Sequence, residues 1–185
     1  MTSYELPTRL QVAGEYYEIR SDFRAILDIM QAINDDEIED ESKILILLSI
    51  LYVDKIPEEH IQEAIEQAAL FIDAGFSSSK ENKPVLMDWE KDASLIIPAV
   101  NKVAGKEIRA LSYLHWWTFI GYYMEIGESF FSNVVSIRSK KAKGKKLEKH
   151  EKEFYEENRD IIKLERKQKR SKEEEAELKK LFGIK

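Results

Sequence analysis

The side chains that most often perform catalysis or bind metal ions are few in this chain and lie far apart. The chain has no cysteine, so it has neither a disulfide framework nor a thiolate nucleophile. Its three histidines, His60, His115 and His150, are too widely spaced for one helix face to bring two of them to a metal ion. Motifs of phosphate-binding loops, dinucleotide-binding turns and serine nucleophiles do not occur. The sequence therefore predicts a protein that is not an enzyme and that needs no cofactor or metal.

A run of carboxylates at residues 34–41, NDDEIEDE, is the strongest local candidate for a cation site. A calcium-binding EF-hand loop needs glycine at its sixth position for the turn and glutamate at its twelfth. The sixth position counted from Asn34 is Glu39, and no glycine lies nearby. We therefore expect this run to be an acidic, solvated junction between two helices.

A basic run at residues 140–146, KKAKGKK, could neutralise phosphates. The predicted basic patch on the C-terminal tail consists of Arg138, Lys140, Lys141, Lys143, Lys145 and Lys146. The nearest aromatic residues, Phe154 and Tyr155, lie among glutamates, which would repel a nucleic-acid backbone, and the whole chain has a net charge of −6. The sequence thus disfavours nucleic acid as a partner, although a nucleic-acid-binding regulator stays an alternative hypothesis.

The most apolar stretch, LSYLHWWTFIGYYMEI at residues 111–126, contains two of the three tryptophans. It is shorter than the roughly 20 residues that span a membrane, and it includes His115 and Glu125. We expect a central core helix with one face reaching a partner-binding groove, the candidate residues being Trp116, Trp117, Phe119 and Tyr123. On an ideal helix the two tryptophans point about 100° apart, so at most one of their directions should be exposed. If both are buried, the partner surface should be sought in the tail.

The elements around this stretch follow from hydrophobic spacing. Apolar and polar residues alternate on either side of a glycine and predict a β-hairpin that includes Leu10, Val12, Gly14, Tyr17 and Ile19. Ser21 or Asp22 can then cap the first of three helices. The apolar faces predicted for these helices are Phe23, Ile26, Leu27, Met30 and Ile33, then Ile44, Leu47, Leu48 and Leu51, then Ile61, Ala64, Ile65, Ala68 and Ile72.

Further helices are expected after a mobile loop at residues 76–86. One runs from Asp88 to Gly105, and its internal Pro98 predicts a kink or break near residues 94–97. In the tail, Leu147, Phe154 and Ile161 recur seven residues apart, and SKEE at residues 171–174 resembles the start of a last short helix. We predict a mainly α fold: a single helical domain at residues 1–139 with an N-terminal β-hairpin, followed by a basic, charge-rich helical tail at 140–185.

The charge is divided unevenly along the chain. Residues 138–185 contain 18 lysines and arginines against 11 acidic residues, a net charge of +7, whereas the preceding residues have a net charge of −13. This polarity favours electrostatic steering or head-to-tail self-association, and a solvated helical tail would also produce it.

Several segments resemble a known family. Trp89 with Asp92, the later LSYLHWWTF and IRSKKAKGKKL, the opening GEYYEIRSDFR and the EFYEENRDII of the tail are similar to tail-assembly proteins of long-tailed bacteriophages of Gram-positive hosts. Their genes lie just upstream of the gene for the tape-measure protein. The resemblance extends over nearly the whole chain.

The resemblance implies a non-enzymatic tail-assembly chaperone of the host cytoplasm that coats the tape-measure protein and helps to recruit tail-tube subunits. It implies the tape-measure protein as partner, with a companion chaperone and the tail-tube protein as further candidates, and it supplies no catalytic residues. A structural tail or head–tail component is the alternative from another class, and a homo-oligomer stays open. No membrane is expected.

Overall fold

The chain begins with the β-hairpin that the alternation predicted. In the computed structural model, which describes residues 5–74 and 84–164, β1 (Arg9–Val12) pairs antiparallel with β2 (Glu15–Glu18), and Leu10 lies opposite Tyr17. Ala13 and Gly14 form the turn with positive φ angles of 50° and 85°. A two-residue hairpin turn needs this conformation, which glycine adopts without strain. Leu10 and Val12 are buried, so one face of the hairpin packs on the helical body.

All other regular elements of the described chain are helices, which confirms the mainly α prediction. Two short 3₁₀ turns occur at Glu58–His60 and Ile108–Ala110. The α-helices are α1 (Phe23–Asn34), α2 (Asp40–Leu51), α3 (Ile61–Ile72), α4 (Ala93–Ala104), α5 (Trp116–Met124), α6 (Phe130–Ala142), α7 (Lys149–Glu157) and α8 (Arg159–Ile162). No helix in the described ranges is long and apolar enough to cross a membrane.

One core joins the hairpin to α1–α5 and reaches Phe131 of α6. Asp22 caps α1 by accepting a hydrogen bond from the Arg24 backbone N–H at 3.0 Å, as the sequence indicated. Two residues predicted to face inward do not: Ile33 and Ile44 are exposed. In α1 the buried stripe includes Ile29 instead. From Ile44 onward α2 has apolar residues on nearly every side, so its sequence could not indicate which face is covered.

Of the kink or break expected near residues 94–97, the break does not occur. The helix is continuous from Ala93 to Ala104 and ends at Gly105, whose φ is 67°. Pro98 lies in the second turn and has no N–H, so it removes the intrahelical donor of one carbonyl, that of Ser94. Both residues are exposed, where water can serve that carbonyl.

The aromatic helix is shorter than the apolar stretch, because residues 111–115 are not helical. They run beside the chain that enters α1. The Phe23 backbone N–H donates to the Leu114 carbonyl at 2.9 Å, and the Trp116 backbone N–H donates to the Ser21 carbonyl at 2.8 Å. His115 then begins α5, since its Nδ1 accepts a hydrogen bond from the Trp117 N–H at 3.0 Å. Its Nε2 therefore bears the proton and donates to the Pro7 carbonyl at 3.0 Å.

This arrangement predicts that acidification destabilises the protein through His115. Burial lowers the pKa of His115 below 6.5, so the unfolded chain takes up this proton at a higher pH than the folded chain does. Stability from this group is complete above the unfolded pKa and is lost as the pH falls through the folded pKa. Urea unfolding at about pH 7.5 and about pH 5.5 measures the effect. The free energy of unfolding should fall less between these pH values in His115→Asn, which keeps a capping oxygen, than in the wild type. His150→Asn is the exposed control, and equal losses in all three proteins would contradict the assignment.

The C-terminal extension folds back on α6 up to residue 164. Val134, Ile137 and Ile162 form a second buried cluster, which Leu147, Phe154 and Tyr155 border. Ile162 is buried and Ile161 is 44% exposed, so the predicted seven-residue spacing missed the inward residue by one. The predicted domain boundary at 139/140 falls inside α6. The predicted last helix and most of the predicted mobile loop 76–86 lie outside the described residues.

Candidate partner-binding groove

A groove of about 460 Å³ opens between the end of α1 and the segment that leads into α4, a volume within the range of ligand-binding clefts. Apolar side chains of Ile33, Val85, Met87, Trp89 and Leu164 line it. Its charged lining residues are Asp35, Asp36, Glu37, Asp88, Glu90 and Lys91. Gln31 and Asn34 complete the lining among the described residues. We call this feature the acidic groove.

The first wall is the turn that follows α1. Asp35 fixes this turn, because its Oδ1 accepts a hydrogen bond from the Glu37 N–H at 2.8 Å and its carbonyl accepts one from the Ile38 N–H at 3.3 Å. Short side chains that bond the backbone two residues ahead are typical of such turns. Ile33 stands beside this turn, 41% exposed.

The second wall is the turn at residues 85–91, which two aspartates hold. Asp88 Oδ1 accepts hydrogen bonds from the N–H groups of Glu90 at 3.0 Å and Lys91 at 2.9 Å. Asp92 Oδ2 accepts one from the Asp88 N–H at 2.9 Å, and Asp92 itself is buried. The wall is therefore fixed from within, while Val85 and Glu90 stay exposed on its surface.

The aromatic residues of α5 support the groove from behind. The Trp89 ring lies 4.9 Å from that of Tyr123 and 6.1 Å from that of Phe119, measured between ring centroids. The Tyr123 hydroxyl donates a hydrogen bond to Met87 Sδ at 2.8 Å. Burial, and then the nearby Asp92 carboxylate, raise the pKa of Tyr123, so this hydroxyl keeps its proton. Both Met87 and Trp89 thus lie between this aromatic layer and the groove.

The four aromatic residues expected to contact a partner lie mainly in the core. Trp116 and Phe119 are buried at 1% and 0% exposure, and Trp117 and Tyr123 are partly buried. The indole N–H of Trp116 donates to the Ile72 carbonyl at 2.8 Å, and that of Trp117 donates to the Phe71 carbonyl at 2.9 Å. Both carbonyls belong to the last turn of α3, and that of Phe71 also accepts a hydrogen bond from the Ala74 N–H at 3.1 Å. The two indole N–H groups thus cap the C-terminal end of α3. Trp116 and Phe119 are too deeply buried to contact a partner in this fold.

Arg138, which the sequence placed in the basic patch, is buried and connects three segments. Its guanidinium makes a two-pronged ion pair with Asp92, with N–O distances of 2.6 and 3.0 Å. It also donates to the Leu86 carbonyl at 3.1 Å and to the carbonyls of Ile161 at 2.7 Å and Ile162 at 2.9 Å. One side chain thus fixes the second groove wall and the chain that arrives at Leu164.

The lysines of the predicted basic patch divide into two groups. Lys140 pairs with Glu151 at 2.5 Å, and the Lys141 ammonium lies 3.6 Å from the centre of the Tyr155 ring, so both tie α6 to α7. The hydrogen bond from Lys140 lowers the pKa of Glu151. Lys143, Lys145 and Lys146 are exposed at the turn between these helices.

A second exposed apolar surface lies on α2 and α3. Leu45 is 64% exposed and Leu70 is 63% exposed, and Ile44 is also open to solvent. Isolated exposed leucines are ordinary on protein surfaces. The acidic groove differs from this surface because it is concave and combines apolar residues with charges of mainly one sign.

Comparison with known families adds to this geometry. A family described as Bacteriophage Gp15 protein matches residues 3–164. The chain belongs to this family. The matched region includes every lining residue of the acidic groove, and the family places the chain among bacteriophage proteins with a structural or assembly role. Searches of curated proteins and of solved structures found no match.

Sequence reasoning missed the groove because its two walls are about fifty residues apart in the chain. The first wall was recognised only as an acidic junction, and the second was placed partly in a mobile loop. A signal for Arg138 did exist: it follows Phe131 by seven residues and Val134 by four, which is the spacing of the buried face of α6.

Proposed function

We propose that the protein is a non-enzymatic tail-assembly chaperone that binds a helix of the phage tape-measure protein in the acidic groove. The observation that supports this most is the groove itself: apolar side chains between carboxylates, on the surface of a protein from a bacteriophage family. Helix-in-groove binding uses a line of apolar anchors, and flanking charges fix the register.

The chemistry of the groove defines the client segment. Five of the six charged lining residues are acidic, so the matching helix has lysines or arginines beside its apolar stripe. Ile33, Met87 and Trp89 would receive the apolar side chains. Covering such a stripe in the cytoplasm of the host would keep a long helical client soluble before the tail tube forms around it.

Charge reversal in the groove is expected to weaken binding of this client. Asp36 and Glu90 are exposed, and neither makes an ion pair within the described part of the chain, so Asp36→Lys/Glu90→Lys should leave the fold intact. We expect at least a tenfold rise in Kd at low salt, with the difference shrinking as salt is added, because two attractive charges become repulsive. Calorimetric titration with a basic amphipathic peptide from the tape measure would measure it.

The matched control is Asp54→Lys/Glu153→Lys, which makes the same change of charge at two exposed positions that do not line the groove. Its Kd should stay near that of the wild type. If both double variants weaken binding equally, net charge and not the groove determines affinity.

Co-expression tests the proposed activity directly. The tape-measure protein of the same phage should be soluble and co-purify with this chain, alone or with the companion chaperone, and should precipitate without it. If the tape measure stays insoluble and unbound in the presence of the chain, the proposed function is wrong. Mass spectrometry of purified virions separates the structural alternative, since a chaperone should be missing from virions and a tail component present in stoichiometric copies.

A further inference from the structure

Leu164, the last described residue of the chain, lines the acidic groove, and a strongly basic sequence begins two residues later, after Glu165. Residues 166–170 read RKQKR, four positive charges in five positions. We propose that this basic segment of the same chain occupies the acidic groove when no client is bound. Its role as a competitor of the client rests on the proposed function, but the intramolecular contact itself does not.

The first support is the position from which the segment starts. Arg138 holds the carbonyls of Ile161 and Ile162, so the chain arrives at the groove along a fixed path. Each further residue extends the chain by at most about 3.3–3.6 Å. Residues 166–170 are therefore within roughly 7–22 Å of Leu164, which is within reach of both groove walls.

The second support is charge complementarity. The groove has five carboxylates and one lysine, and Asp36 and Glu90 point their charges to solvent without an ion pair in the described residues. Arginine can pair with a carboxylate through two parallel hydrogen bonds, and lysine acts as a point charge. The lysine stems can also cover Ile33 and Val85, since long basic side chains bury their methylene groups on apolar surfaces.

The tether decides between this occupant and the same segment of a second copy. A link of only a few residues gives an effective concentration in the millimolar range, which exceeds that of a second chain in ordinary solution. Intramolecular occupation therefore precedes self-association. A client helix must displace the segment, and a groove that is occupied nine-tenths of the time lowers the apparent client affinity about tenfold.

Carbodiimide cross-linking of the full chain tests the contact without any client. This reagent joins lysine amines to carboxylates that touch, and mixing isotopically labelled with unlabelled chains distinguishes contacts within one chain from contacts between two. We expect Lys167 or Lys169 to be linked to Asp36, Asp88 or Glu90 within one chain, and the link to weaken at about 1 M salt. The absence of such links, or links only between labelled and unlabelled chains, would overturn the proposal.

Client affinity gives a second, independent readout. Neutralising the segment with Arg166→Gln/Lys167→Gln/Lys169→Gln/Arg170→Gln should raise affinity for the basic client peptide about tenfold. The control removes four charges further along, with Lys172→Gln/Lys179→Gln/Lys180→Gln/Lys185→Gln, and should leave affinity unchanged. Equal effects of the two variants would count against the proposal. If the client binds but no cross-link forms, this inference is wrong and the proposed function stands. If cross-links form but no client binds, the proposed function is wrong and the intramolecular contact stands.

Discussion

Replacing Arg138 with methionine is expected to lower the free energy of unfolding by about 3–5 kcal/mol, because the change leaves the buried Asp92 carboxylate without its partner. The carbonyls of Leu86, Ile161 and Ile162 also lose a donor. The loss should be largest around the second groove wall and the end of α8. Urea unfolding measures the total, and amide hydrogen exchange at residues 84–92 and 159–164 locates it.

Two further variants make this expectation specific. Lys143→Met also replaces a basic side chain with methionine, but at an exposed position, and should alter stability by no more than about 0.5 kcal/mol. Adding Asp92→Asn to Arg138→Met should recover part of the loss, since the uncompensated charge is then gone. A loss below about 1 kcal/mol in Arg138→Met would show that the guanidinium is not essential to this junction.

Truncating Trp116 to alanine is expected to cost about 3–5 kcal/mol of stability, the usual range for a large aromatic residue in a core. The indole fills the space between α3, Phe119 and Trp89, and its N–H serves the Ile72 carbonyl. Thermal or urea unfolding gives the magnitude. A partner-contact role makes the opposite prediction, namely weakened client binding at unchanged stability.

Trp116→Phe keeps most of the packing and serves if the alanine variant does not fold. It should lose about 1–3 kcal/mol, because the part-buried Ile72 carbonyl loses the indole N–H that donates to it. The folded fraction should bind the client with wild-type affinity. Reduced affinity for the client at unchanged stability would show instead that Trp116 contributes to the partner-binding surface.

The hairpin and the helices were predictable because local chemistry determines them. The apolar residues that alternate around Gly14, and the capping oxygen of Asp22, interact with partners only a few residues away in the sequence. The start of α5 was not predictable in this way. Residues 111–115 are apolar enough for a helix, but they pair with the chain before α1, and that partner lies about ninety residues away.

The site was less predictable than the fold because its chemistry depends on which face each element buries. The aromatic residues of α5 were recognised as central, yet the sequence could not show that α3 and Trp89 would cover them. Arg138 was taken for a surface charge because it stands next to a lysine run, although its spacing placed it on the inner face of α6. The groove needs two distant turns to meet, and only tertiary packing brings Ile33 near Trp89.

Hydrogen exchange of the complex with the tape-measure protein tests the central claim most directly. Amides at residues 33–37 and 85–91, the two walls of the acidic groove, should exchange more slowly in the complex than in the free chain. Those of α2 around Ile44 and Leu45 should not change. Unchanged exchange at both walls, or protection confined to α2, would contradict the assignment of the acidic groove as the client-binding site.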